Sequence, residues 1–140
     1  MSQVAAQLYI RQPLKYNHVS HDWVVKKMIP ELTALLNQLR DDLHSALGDN
    51  LERVTLYGSQ ARGDALPDSD VDVLVVLRQA DEAIQETVHR IAYRLMWERD
   101  FRYVLALNII DSGHYRLLRD KRSSYLHNVE HEGQALWPAT

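Results

Sequence analysis

At 140 residues, 46% apolar and 25% charged, the chain can build one hydrophobic core and is neither disordered nor long enough for two domains. No apolar run reaches the roughly 20 residues of a membrane span, and the lack of cysteine excludes a disulfide framework or a thiolate zinc site. The net charge of −3, from 19 acidic and 16 basic residues, withholds the basic face that long duplex DNA requires, so neither a membrane nor a long nucleic acid is an expected partner.

Residues 1–20 read as a peripheral segment, because Gln3, Gln7, Arg11, Gln12, Pro13 and Asn17 break any period and supply no secretory apolar core. The cysteine-free composition fits a reducing compartment, so the expected location is the cytoplasm. Residues 21–140 read as one domain. From His21 to Leu47 the pattern is helical, with Ile29, Leu32, Leu35, Leu36, Leu39 and Leu43 on one face. Pro30 kinks this stretch or starts its main helix, and Gly48-Asp49-Asn50 ends it.

Arg53 to Tyr57 is short, β-branched and aromatic, which predicts a strand. A polar segment, Gly58 to Ser69, leads into the strongest strand signal, Val71 to Leu77, apolar enough for burial on both faces. Asp81 is placed to cap a helix running to about Arg99, with Ile84, Val88, Ile91, Leu95 and Met96 inward. Phe101 to Ile110 predicts a third strand. Gly113 to Leu136 predicts one or two short helices with Leu117, Leu118, Leu126 and Val129 inward. The fold class is therefore α/β, a small mixed sheet flanked by helices.

Tyr57 to Leu77, YGSQARGDALPDSDVDVLVVL, concentrates the chemistry. One strand delivers Gly58 and Ser59 into a turn, and ten residues later another begins Asp70-Val71-Asp72. Residues i and i+2 of a strand share a face, so the two carboxylates stand side by side and repel unless a cation lies between them. Hard oxygen ligands, with phosphate oxygens completing the shell, suit Mg²⁺. Glycine at position 58 lets backbone approach a ligand closely, and backbone N–H groups with the Ser59 hydroxyl can hold a terminal phosphate. Alone, Asp-x-Asp reads as a solvated strand edge and Gly-Ser as a turn. Together at this spacing they match a chain of this length by chance on the order of once in a hundred to a thousand.

The run GSQARGDALPDSDVDVLVVL resembles the signature of the minimal nucleotidyltransferases (MNT) of the polymerase-beta-like superfamily: a Gly-Ser turn, an Arg-Gly pair (Arg62-Gly63), and Ser-Asp-x-Asp (Ser69, Asp70, Asp72) entering an apolar strand. The ending LHNVEHEGQALW, Leu126 to Trp137, is similar to the Asn-Ile-x-x-Glu-Gly close of these proteins, and the resemblance covers roughly residues 22 to 137. It implies the polymerase-beta-like fold, Mg²⁺ with ATP as co-substrate, and transfer of a nucleoside monophosphate to an acceptor hydroxyl with release of pyrophosphate. Carried over by position, Gly58, Ser59, Arg62 and Ser69 bind nucleotide, while Asp70 and Asp72 bind metal and are catalytic.

One departure stands out. Many members add a third carboxylate from the next strand, where this chain has Ala106 or Asn108; Asn108 coordinates weakly and cannot act as a base. Glu98, Asp100 or Asp111 is a possible substitute. Minimal members are commonly paired with a HEPN toxin, and a 140-residue chain leaves little room for an acceptor-binding domain. The leading expectation is an antitoxin that adenylylates a tyrosine of a HEPN-type partner in a hetero-oligomer. The alternatives are an enzyme modifying a small, antibiotic-type molecule and a non-catalytic antitoxin acting by contact. Other signals read blandly: Arg122 to His127 fits the HEPN Arg-x4-His motif by chance, His127 and His131 are surface residues, the Arg116, Arg119, Lys121 and Arg122 run is a solvated face, and Trp23, Trp97 and Trp137 are core or interface aromatics.

Overall fold

The computed structural model describes residues 29–138; the peripheral segment 1–20, the helical reading over 21–28 and Trp23 lie outside them. Helix α1, Pro30–Leu47, opens on the proline at its first position, where a missing N–H costs nothing. Its stripe Leu32, Leu35, Leu36, Leu39 and Leu43 is buried, each leucine contributing about 1.5–3 kcal/mol over exposure, whereas Ile29 at the cap is exposed. The 3-10 turn Gly48–Asn50 leads into strand β1, Leu51–Tyr57. The polar segment Gly58 to Ser69 contains a single helical turn, α2, Ser59–Arg62.

Strand β2, Val71–Leu77, matches its predicted bounds, and helix α3, Glu82–Glu98, is capped by Asp81, whose side chain accepts from the Ile84 N–H at 2.9 Å. Val88, Ile91, Ala92 and Leu95 are buried along α3, while Ile84 and Met96 are half-buried against the same core. Strand β3, Leu105–Asp111, starts four residues later than the sequence predicted because Asp100 to Arg102 close the end of α3 instead. Helices α4, Ser112–Asp120, and α5, Ser124–Glu132, follow, and β4, Gln134–Trp137, is a strand where the sequence predicted only helix.

The sheet order is β3-β2-β1-β4; β2 pairs parallel with β3, and β1 pairs antiparallel with β2 and β4, a mixed sheet as expected. Alternation gives each face its own core. Val54, Leu56, Val71, Val73, Val75 and Leu77 face α1 and α3. Leu74, Val76 and Ile110 face α4 and α5, meeting Tyr115, Leu126 and Val129. Leu118 is half-buried against this second core, but Leu117, predicted to point inward, is 50% exposed: Tyr115 takes the inward position on the short helix α4. Gly133 permits the return into β4, since a Cβ there would meet the Val129 carbonyl, Thr55 Cγ2 at 2.8 Å and the Leu56 carbonyl at 2.9 Å. Among the described residues no helix is long and apolar enough to cross a membrane.

Candidate active site

The register of the sheet assembles the site. Tyr57, the last residue of β1, pairs with Asp72 on β2, and Ala106 on β3 pairs with Asp72 from the other side. Three strand ends therefore meet at one edge, and the chain leaves β1 through Gly58 and Ser59 beside the two carboxylates. Gly58 has φ +77°, a left-handed conformation that costs a side-chain-bearing residue energy. A Cβ there would collide with the Asp72 carboxylate, its Cγ lying at 3.3 Å. The glycine expected to let a ligand approach thus also makes room for Asp72 itself.

Asp70 is exposed and Asp72 half-buried. Burial first, and then the Asp70 charge, push the Asp72 carboxyl above the ordinary aspartate range, with Arg62 pulling it back. That uncompensated repulsion is what a divalent cation would relieve. Two hard carboxylate oxygens, with water and phosphate oxygens filling the remaining positions, form a donor set that fits Mg²⁺. Among the described residues, no third carboxylate or histidine joins them. Asp111 is excluded by position: it pairs with Leu77 at the opposite end of the sheet and accepts from the His114 N–H at 2.7 Å as the cap of α4. Glu98 is in ion pairs with Arg94 at 3.6 Å and Arg99 at 4.0 Å on α3.

Arg62 projects from α2 between two carboxylates, Asp64 at 3.2 Å and Glu132 at 3.3 Å, which raise its already high pKa. The pairs are solvent-exposed, so they orient the guanidinium more than they stabilise the fold. Gln134 Nε2 donates to the Ala61 carbonyl at 3.4 Å, so the Glu132-Gly133-Gln134 ending holds the turn that carries Ser59 and Arg62. Ser69 faces inward on its own loop, its Oγ accepting from the Leu66 N–H at 2.9 Å, and so shapes the approach to Asp70.

The sequence did not single out Tyr57 and Tyr125 as site residues. Asn108 sits beside Leu74, one pleat away from Ala106, and its Nδ2 donates to the Tyr125 hydroxyl at 2.7 Å. Tyr125 in turn donates to the Tyr57 hydroxyl at 3.2 Å, with the two rings edge to face. Burial first, with the Asp72 charge added to it, pushes the Tyr57 phenol well above its ordinary value. The only advance signal was the tyrosine immediately before the Gly-Ser turn.

The remaining signals fall elsewhere. His127 and His131 stack at 5.4 Å with no third ligand among the described residues. Arg116, Lys121 and Arg122 are exposed, and Arg119 with Arg53 lies over the Tyr115 ring. Trp137 packs on the α1 face beside His44, whereas Trp97 is 65% exposed in a cluster with Tyr93 and Phe101 and is no part of the core.

The chain is similar in part to known proteins. A candidate protein adenylyltransferase of Methanocaldococcus jannaschii is 41% identical over 49 residues, 35% of this chain; the chain spans half the length of that relative. A candidate nucleotidyltransferase of Sulfolobus solfataricus is 25% identical, with 74% of this chain and 78% of that one covered at a TM-score of 0.47. A Shewanella oneidensis assembly, described as a tri-AMPylated HEPN toxin with its MNT antitoxin, is 18% identical over 76% of this chain and 72% of that one, at a TM-score of 0.42. The family model for the nucleotidyltransferase domain matches residues 36–122, more than half of the chain and a span that includes Gly58, Ser59, Asp70 and Asp72, and on that match this protein belongs to the nucleotidyltransferase domain family.

Proposed function

We propose that this protein is a protein adenylyltransferase that moves AMP from ATP to a tyrosine hydroxyl of a HEPN-type toxin, acting as its antitoxin. The observation that carries the reading is the Asp70/Asp72 pair at the start of β2, facing the Gly58-Ser59 turn across the Tyr57–Asp72 register. The 41% identity to a relative described as a candidate protein adenylyltransferase supports a protein as the acceptor. Asp70 and Asp72 would hold Mg²⁺, which supplies charge neutralisation on the phosphates when bound. Ser59 and the backbone after Gly58 grip the triphosphate, and Arg62, kept in place by Glu132, balances its charge. The acceptor oxygen forms a bond to the α-phosphorus, the α–β bridging bond breaks, and pyrophosphate leaves. Ala106 in register with Asp72 puts no base on β3 at that point, so the hydroxyl proton passes to a group on the acceptor or to water.

That same alanine favours a second reading, neutralisation of a partner by contact without transfer. The two separate cleanly. Incubation with ATP, Mg²⁺ and a HEPN-type partner should add the mass of an adenylyl group to the partner, and the Asp70→Asn/Asp72→Asn protein should add none. Rescue of growth by the double variant, with no added mass, would establish the contact reading. Transfer to an aminoglycoside with the protein partner left unmodified would replace both.

A further inference from the structure

Asn108, Tyr125 and Tyr57 form a file of hydrogen bonds across the α5 side of the sheet, and the file has a direction. An amide nitrogen only donates, so Asn108 Nδ2, at 2.7 Å, occupies a lone pair of the Tyr125 oxygen. The Tyr125 proton then goes to the Tyr57 oxygen at 3.2 Å. The Tyr57 oxygen is served as an acceptor and its own proton remains, with no acceptor for it among the described residues. Tyr57 stands in register with Asp72, directly before the Gly58-Ser59 turn. The free donor therefore belongs to a residue on the strand end that pairs with Asp72, one position before the turn, and the Asp72 charge reaches it.

We infer that Tyr57 is a nucleotide-binding residue whose hydroxyl donates to an oxygen of the bound nucleoside triphosphate, with Tyr125 and Asn108 as the positioning residues that aim it. The inference rests on the reading of Asp70 and Asp72 as the metal–nucleotide site. It also gives Asn108 a role other than that of a weak third metal ligand: its amide is committed to Tyr125, and its value is the polarity it imposes on the file.

Calorimetric titration with ATP in Mg²⁺ tests this without any turnover. Tyr57→Phe should weaken binding about tenfold, the loss of one hydrogen bond to a charged acceptor, measured at a temperature where the variant is fully folded, since it also removes the acceptor of the Tyr125 proton. Asn108→Asp reverses the file: a carboxylate accepts from Tyr125, Tyr125 then accepts from Tyr57, and the donor turns inward. It should weaken binding to the same extent, and Tyr57→Phe/Asn108→Asp should be no worse than either single change, because both remove one interaction. Additive losses in the double variant would mean that the carboxylate introduced by Asn108→Asp acts only by repelling phosphate, and tighter binding by Asn108→Asp would make position 108 a metal ligand; either overturns the file. A loss on Tyr57→Phe shared by Mg²⁺-tripolyphosphate puts the contacted oxygen in the phosphate chain, and a loss confined to ATP puts it on the nucleoside. Tyr57→Phe binding like the unaltered protein, while Asp70→Asn/Asp72→Asn fails to bind, overturns the inference and leaves the metal site standing. If that double variant also binds ATP undiminished, the underlying reading falls as well.

Discussion

Gly58 carries two demands that no other residue meets together: a φ of +77° and no atom where the Asp72 carboxylate lies. Gly58→Ala should cost about 1–3 kcal/mol of stability, read by denaturant unfolding. It should also displace Asp72, so that Mg²⁺-dependent ATP binding falls even in the folded fraction. Asp72 itself is held in a costly state. Its pKa is raised on folding, so the native protein keeps the Asp72 proton to a higher pH than the unfolded chain does. Stability attributable to this group is therefore lost as pH rises from the ordinary aspartate range through the elevated folded value, and the full cost is present at neutral pH. Asp72→Asn should raise neutral-pH stability by up to about 0.5 kcal/mol, and the gain should vanish in acid below the aspartate range. In calorimetric scans, Mg²⁺ should raise the melting temperature of the unaltered protein and leave that of Asp72→Asn where it is.

Among the elements, α3 shows both what a sequence reveals and what it hides. Its start was legible because Asp81 is a cap whose mechanism is local. Its end was not, because the helix closes with Asp100 and Phe101 in left-handed conformations, φ 53° and 55°, where glycine is the usual signal. The Phe101 N–H bonds back to Met96 and the Asp100 N–H to Trp97, and this turn takes up residues that looked like the start of β3. Asp100→Gly should therefore stabilise the protein by about 0.5–1 kcal/mol, measured by denaturant unfolding, with β3 unchanged. Strand β2 was legible to the residue since burial on both faces leaves an unbroken apolar run. Strand β4 was hidden: four residues pair with β1 only because Gly133 turns the chain back, a tertiary event with no local period. The site divides the same way. The carboxylate pair and the Gly-Ser turn could be read from spacing, but Tyr125 reaches Tyr57 from 68 residues away and only the folded sheet brings them together.

The described residues form one sheet with two cores, and the candidate site belongs to one of them. The face toward α1 and α3 holds Leu36, fully buried and remote in sequence from every site residue. The face toward α4 and α5 holds Leu126, buried beside Tyr125 and within the core that seats Tyr57. Both truncations, Leu36→Ala and Leu126→Ala, should cost about 2–5 kcal/mol, and because the two cores share β1 and β2, each variant should still unfold in a single transition. Their effect on nucleotide binding should differ. Loss of Leu126 loosens α5, and with it the Tyr125 hydroxyl that donates to Tyr57 and the Glu132 carboxylate that holds Arg62 at 3.3 Å. Leu36→Ala leaves all of these contacts in place. At a temperature where both variants are fully folded, Leu126→Ala should bind ATP in Mg²⁺ several-fold more weakly than Leu36→Ala, whose affinity should equal that of the unaltered protein. Equal affinities in the two variants would mean that α5 supports the fold and not the site.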